Sequence, residues 1–193
     1  MTKILQVDIT GTPQRWLALK DAANLVCTDD VAWTYGSTAA VLRGGFSRAL
    51  QRQSTLEIPA ILGTRGQSKV NVQDAIPPLT SNNRKLFERD RYTCAYCGMI
   101  GVPHELNREH IQPVSRGGAN TWMNVVTACR SCNGHKGNRT LEEANMTLLY
   151  VPYKPNLFED FILRQGVHRI LADQMEFLLA RVSPNSRIRD LLN

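Results

Sequence analysis

An α+β fold is what this sequence predicts. Residues 1–80 read as a mixed, mostly β region, and residues 81–146 as a central segment stapled by a four-cysteine zinc site. Residues 147–193 read as an extension carrying one helix from about 167 to 182. Three observations carry this. Apolar residues alternate with polar ones in the first third, the period of half-buried strands. Two C-x-x-C pairs bracket the middle. Near the end, apolar residues recur at steps of three and four, the period of a helix.

In order, Leu5, Val7 and Ile9 alternate around Gln6 and Asp8 and predict a strand. Gly11-Thr12-Pro13 predicts a turn. Leu19, Ala22, Ala23 and Val26 predict a helix from about Leu17 to Thr28. Val31, Trp33 and Tyr35 predict a second strand, ended by Gly36. Between Ser37 and Val72 short strands are expected, from Leu56 and Ile58 before Pro59 and from Val70 and Val72. Pro77-Pro78 reads as a stiff joint. Ser81 is placed to cap a short helix reaching Arg89, and Thr140 another over Leu141–Asn145. Residues 150–155 read as an extended connector. Val167, Leu171, Met175, Leu178 and Val182 form one stripe of the last helix, whose simplest role is core packing. The tail from Ser183 is expected to fray.

At 193 residues, with 42% hydrophobic and 21% charged, the chain can build a core, which excludes wholesale disorder. No apolar run approaches the ~18 residues of a membrane span. The start, MTKILQVDIT, has no secretory pattern. The expectation is a cytoplasmic protein without a membrane partner, its oligomeric state open between monomer and homodimer. In a reducing compartment five cysteines are not a disulfide framework.

Cys94-Ala-Tyr-Cys97 and Cys129-Arg-Ser-Cys132 stand 31 residues apart. Each pair sets two thiolates on one tight knuckle, and two knuckles complete a tetrahedral soft-ligand site for structural Zn²⁺. All four positions are then filled, so this zinc is closed to substrate. Cys27 has no partner and reads as a small core residue. The charge is uneven: net +2 over residues 1–82, +5 over 83–140 and −1 over 141–193. A basic middle suits a polyanion, although on charge alone a solvated surface is the better reading.

Between the knuckles lies Glu109-His110-Ile111-Gln112-Pro113, then Arg116-Gly117-Gly118 and Trp122-Met123-Asn124. Phosphodiester hydrolysis needs a water relieved of its proton, neutralised phosphate charge and a stabilised leaving oxygen. A histidine can take the proton near neutral pH. A hard divalent ion wants oxygen ligands, which Glu109 and Asn133 offer. Neighbours on a strand face opposite ways, so Glu109 and His110 share a site only if the strand ends or bends there.

Taken together, Cys94-x2-Cys97, Glu109-His110-Ile111-x-Pro113-x-Ser115-x-Gly117-Gly118, Trp122-x-Asn124 and Cys129-x2-Cys132-Asn133-x2-Lys136-Gly137-Asn138-Arg139-Thr140 resemble an HNH endonuclease. The resemblance is to the bacterial and phage type with two zinc-binding C-x-x-C pairs, and runs from about Arg89 to Thr140. It implies a ββα-metal finger: two antiparallel strands, a long loop and a helix. It implies His110 as general base, Asn124 as the residue that holds the loop and orients that histidine, and Glu109 and Asn133 as ligands of a catalytic Mg²⁺ or Mn²⁺. This sequence departs from the family at two positions. Glutamate stands where aspartate is commoner, and asparagine stands at the third motif position in place of histidine.

Other residues have competing readings. His135 lies two residues past Asn133, about 200° around a helix, and is a rival metal ligand or a phosphate contact. Lys136 shares the face of Asn133 and either touches phosphate or packs. Arg108, Arg116, Arg130 and Arg139 are candidates for the DNA backbone. Trp122 reads as a core plug, and His104 and His168 as structural or exposed. The leading function is a metal-dependent endonuclease that hydrolyses DNA, nicking as a monomer with one divalent ion. The alternatives are a non-catalytic zinc module that binds nucleic acid, and an HNH enzyme acting on RNA.

Overall fold

The structure is a computed structural model that describes residues 2–68, 79, 81–184 and 186–191. The expected alternation at Val70 and Val72 and the Pro77-Pro78 joint lie outside the described residues. The elements run β1 (Ile4–Val7), β2 (Pro13–Leu17), α1 (Leu19–Cys27), β3 (Val31–Ser47), β4 (Arg52–Thr64), α2 (Arg84–Arg89), β5 (Leu106–His110), β6 (Val125–Cys129), α3 (Arg130–Lys136), α4 (Leu157–Gln165) and α5 (Ala172–Leu179). The class is α+β. The chain divides into two compact units, Met1–Ala75 with Gln165–Arg181, and Ile76–Arg164 with Val182–Asn193.

The first unit is built on a four-stranded sheet in the order β2-β1-β4-β3. β1 runs antiparallel to β2 and parallel to β4. As an inner strand it buries Ile4, Leu5 and Val7, so both of its faces are covered. It ends before Ile9, which is exposed. The chain then turns at Asp8, whose Oδ1 accepts the N–H groups of Thr10 and Thr12 at 2.9 Å each. Against the sheet, Ala22 of α1 joins a core of Ile4, Leu17, Ile58 and Leu62. Cys27, expected in a core, is exposed at the end of α1.

The strand expected to stop at Gly36 continues to Ser47, and β4 runs through Pro59. The pairing shifts register between Tyr35 and Thr38 instead of ending. Gly36 sits there at φ +85°, and a Cβ on it would lie 2.8 Å from the Cβ of Asp173 on α5. The glycine therefore serves a bulge under an approaching helix, not a stop. Asp173 Oδ2 accepts the N–H and the hydroxyl of Ser37, each at 2.6 Å.

The helix expected over 167–182 is broken in two: a 3-10 turn at Val167–Arg169, then α5. Between them Leu171 is extended, at φ −69° and ψ 154°. Gln174 explains the break. Its Oε1 accepts the Leu171 N–H at 3.1 Å, which caps α5 there. Its Nε2 donates to Lys3 O at 2.9 Å and Ala60 O at 2.7 Å. Met175 and Leu178 of the expected stripe are buried.

The second unit holds the cysteine-rich middle. Leu86, Phe87, Cys94, Leu106, Trp122, Val125, Ala128 and Cys129 form its core, and Trp122 is the plug expected. Arg89 is fully buried. It pairs with Asp90, donates to Trp122 O and Val125 O at 2.8 Å each, and to Tyr153 O at 3.1 Å. Asp90 in turn accepts the Thr127 N–H at 2.8 Å. Three other expectations are corrected. α2 starts after Asn83, and its first N–H, that of Arg84, is met by Asn82 Oδ1 at 2.8 Å, so Ser81 does not cap it. Residues 141–145 turn without forming a helix, although Thr140 Oγ1 accepts the Glu143 N–H at 3.3 Å. The described part of the tail is ordered: Ser186 and Ile188 are buried, and Arg187–Leu191 form a 3-10 helix.

Candidate active site and metal centre

β5 and β6 pair antiparallel, from Leu106↔Cys129 at one end to His110↔Val125 at the other. α3 follows β6 with no linker. Each part of the site is therefore hung on one hairpin and the helix that leaves it.

At the Cys129 end, the sulfurs of Cys94, Cys97, Cys129 and Cys132 all lie within 4.8 Å of one another. Cys97 Sγ and Cys129 Sγ are 3.9 Å apart. Zn–S bonds of 2.3 Å in a tetrahedron set sulfurs about 3.8 Å apart, so the four thiols fit a structural zinc. The first knuckle is fastened by Cys94 N–H to Met99 O at 2.8 Å and Ala95 N–H to Thr127 O at 2.8 Å. The second is the start of α3, where the Cys132 N–H points at Cys129 Sγ at 3.4 Å. Burial works to raise the Cys94 thiol. The backbone N–H groups of Cys129, Cys97 and Tyr96 outweigh it and hold that thiol down at about 7. Burial and the neighbouring sulfurs push Cys132 up. Crowding of this kind is what a divalent cation relieves.

At the other end, His110 closes β5 and a loop from 111 to 124 returns to β6. Asn124 holds that loop from inside. Its Oδ1 accepts the Gln112 N–H at 2.9 Å, and its Nδ2 donates to Gln112 O at 3.1 Å and Ala119 O at 2.9 Å. Gly118 lets the loop close on itself, since a Cβ there would lie 1.8 Å from Gln112 O. The closed loop presents Asn120, whose Oδ1 lies 3.2 Å from His110 Nε2 and 3.2 Å from Arg108 Nη1. Arg108 and His110, two apart on a strand, face the same side.

Glu109 faces the opposite side, toward α3. It is 7% exposed, and its Oε1 accepts from Lys136 Nζ at 2.7 Å. The same ammonium donates to His110 O at 2.7 Å. Lys136, read as either a phosphate contact or a packing residue, is fully buried and joins the carboxylate to the strand end. Asn133 lies one turn before Lys136 on the same face of α3. Glu109 Oε2 and the Asn133 side chain have no hydrogen bond among the described residues. The Tyr96 hydroxyl is buried with no hydrogen-bond partner among the described residues. Burial, then the charges of Glu109, Cys94 and Cys132, push Tyr96 up. Glu109 and Asn133 offer oxygen donors of the kind a small divalent ion takes.

The remaining candidates are scattered. Arg130 and His135 are exposed, with no side-chain partner among the described residues. Arg116 pairs with Glu143 at 2.7 Å on the surface. Arg139 folds back on α3, donating to His135 O and to Lys136 O. Sequence reasoning missed Asn120 and Tyr96. Tyr96 sits inside a C-x-x-C pair, a position that could have flagged it; Asn120 reads as an ordinary loop residue.

Two comparisons with known proteins bear on this arrangement. A curated relative, the CRISPR-associated endonuclease Cas9 of Corynebacterium diphtheriae, is 34% identical over 73 residues. That alignment covers 37% of this chain and 7% of the relative, so the chain spans a small part of that protein's length. Among the described residues no helix is long and apolar enough to cross a membrane. The family model described as HNH endonuclease matches residues 94–149, which takes in both knuckles, the hairpin, the loop and α3. Over residues 94–149 the chain is therefore similar to the HNH endonuclease family.

Proposed function

We propose that the chain is a metal-dependent endonuclease that hydrolyses DNA phosphodiester bonds, with His110 as general base. The observation that supports this most is the His110 ring. It stands at a strand end, is met by Asn120 at Nε2, and faces a loop that Asn124 keeps closed. An Asn120 Oδ1 acceptor selects the tautomer with hydrogen on Nε2, which leaves the Nδ1 lone pair free to take a proton. Water then forms a bond to phosphorus as the bond to the 3′ oxygen breaks, and the water's proton passes to Nδ1. The leaving oxygen draws its proton from solvent.

Glu109 and Asn133 would hold a hard divalent ion, Mg²⁺ or Mn²⁺, and they serve the same phosphate as His110 only because β5 ends at that histidine, where the strand's alternation of faces stops applying. Bound there, such an ion supplies neutralisation of phosphate charge and stabilisation of the leaving oxygen. Lys136 fixes Glu109 Oε1 and so leaves Oε2 as the ligating atom. Asn124 acts one step back, as a positioning residue for the loop. Exposed Arg130 and His135 are the nearest available groups for the DNA backbone, and Arg116 becomes one by releasing Glu143. One site per chain cuts one strand per encounter, so a monomer nicks.

The test is supercoiled plasmid with Mg²⁺ or Mn²⁺, followed by mapping of the ends. Wild type is expected to relax it to open circle, and His110→Ala to leave it intact with zinc content unchanged. Cleavage at the wild-type rate by His110→Ala would remove this histidine from the mechanism. Parallel digestion of structured RNA and single strands separates the RNA reading. Binding without cleavage under any divalent ion favours the non-catalytic zinc module.

A further inference from the structure

We propose that the end of the β3–β4 hairpin is a second nucleic-acid contact, a two-stranded ribbon that enters the major groove of duplex DNA. From residue 31 to residue 56 the sequence has no acidic side chain and three arginines, Arg43, Arg48 and Arg52. All three lie on the end of the hairpin, where residues 43–55 are exposed except for half-buried Ser47. None of the three guanidiniums has a hydrogen bond or an ion pair among the described residues. The pairing Arg43↔Thr55, Phe46↔Gln53 and Ser47↔Arg52 keeps the ribbon two-stranded to its tip.

Exposed unpaired arginine is common, but here it is concentrated. A solvated surface patch mixes its charges, whereas this ribbon has one sign only. It also offers Gln53 and Thr55 among its exposed side chains, groups that donate to and accept from base edges. Phe46 and Leu50 are exposed at the tip, where a thymine methyl or a sugar can meet them. The dimensions agree. Two strands about 4.8 Å apart pass into a major groove about 12 Å wide. The deep, narrow major groove of duplex RNA does not admit them. The ribbon belongs to the unit that lacks the zinc site, so its contact is additional to the candidates around His110. It takes its DNA partner from the nuclease reading above and nothing else.

The experiment is fluorescence anisotropy of the zinc-loaded full chain on a labelled DNA duplex, over a salt series without added Mg²⁺ or Mn²⁺. Three phosphate contacts removed should lower the slope of log K against log salt by about 2.7. The R43Q/R48Q/R52Q variant is therefore expected to bind on the order of 10²-fold more weakly at 0.1 M salt. Its thermal melting should be unchanged, because the three guanidiniums are neither hydrogen-bonded nor ion-paired among the described residues. Lys20→Gln, exposed on α1 of the same unit, is the control for charge alone. R43K/R48K/R52K should restore most of the affinity. The proposal is overturned if the glutamine variant keeps the wild-type slope, if wild type does not bind the duplex, or if the ribbon binds duplex RNA equally well. Cleavage is scored separately. Loss of nicking with the ribbon effect intact sinks the nuclease reading alone.

Discussion

At the scale of single residues, Lys136 does what a sequence motif does not announce. A lysine three places after Asn133 reads as either a phosphate contact or a packing residue. Packed under β5, its ammonium is committed to Glu109 Oε1 and His110 O. Removing one partner of a buried pair leaves the other charged and unsolvated, at a cost of ~3–5 kcal/mol. Lys136→Met should therefore lose about that much in urea unfolding, and Glu109→Gln added to it should recover a large part. Simple additivity of the two changes would mean that the pair is not coupled. His110, Asn124, Glu109 and Asn133 could be named as candidates beforehand because the motif that holds them resembles an HNH segment. Asn120 and the orphaned Tyr96 hydroxyl were not, since what they meet is decided by loop closure and by the zinc knuckle.

At the scale of elements, local pattern succeeded where strands and helices are amphipathic and failed where polar side chains are buried. α4 went unseen because Glu159 and Asp160 interrupt its apolar face, yet both are fully buried. Tyr153 Oη donates to Glu159 Oε1 at 2.5 Å, and Lys85 Nζ pairs with Asp160 Oδ1 at 2.5 Å. Gly36 misled in the same way, being read as a stop before its partner on α5 was in view, and Gln174 breaks the helix expected over 167–182 by capping α5 at Leu171. Arg89 is the strongest case. At a helix end it looks like a surface charge, but it fastens α2 to three separate carbonyls. Arg89→Met should cost at least ~3–5 kcal/mol by leaving Asp90 unpaired. Arg89→Lys should rescue little of it, because one ammonium cannot reproduce the planar fork. Equal thermal melting of Arg89→Lys and wild type would show that charge alone suffices.

At the scale of the whole molecule, the two units have separate cores, and only the second contains the four thiols. Structural zinc sites contribute on the order of 10–16 kcal/mol in small peptides, which is as large as the ~5–15 kcal/mol that a typical domain has in total. The hairpin that carries His110 is joined directly to Cys129, so losing the cluster should release both ends of the candidate site. Cys94→Ser, or extraction of zinc by a chelator, is therefore expected to abolish hydrogen-exchange protection in β5, β6 and α3. Protection in β1 and β4 should persist, since Ile4, Leu17, Ile58 and Leu62 pack without any help from the metal. If both units lost protection at one chelator concentration, they would form a single cooperative structure. If neither did, the four sulfurs would not be holding the hairpin, and the geometry around His110 would need another support.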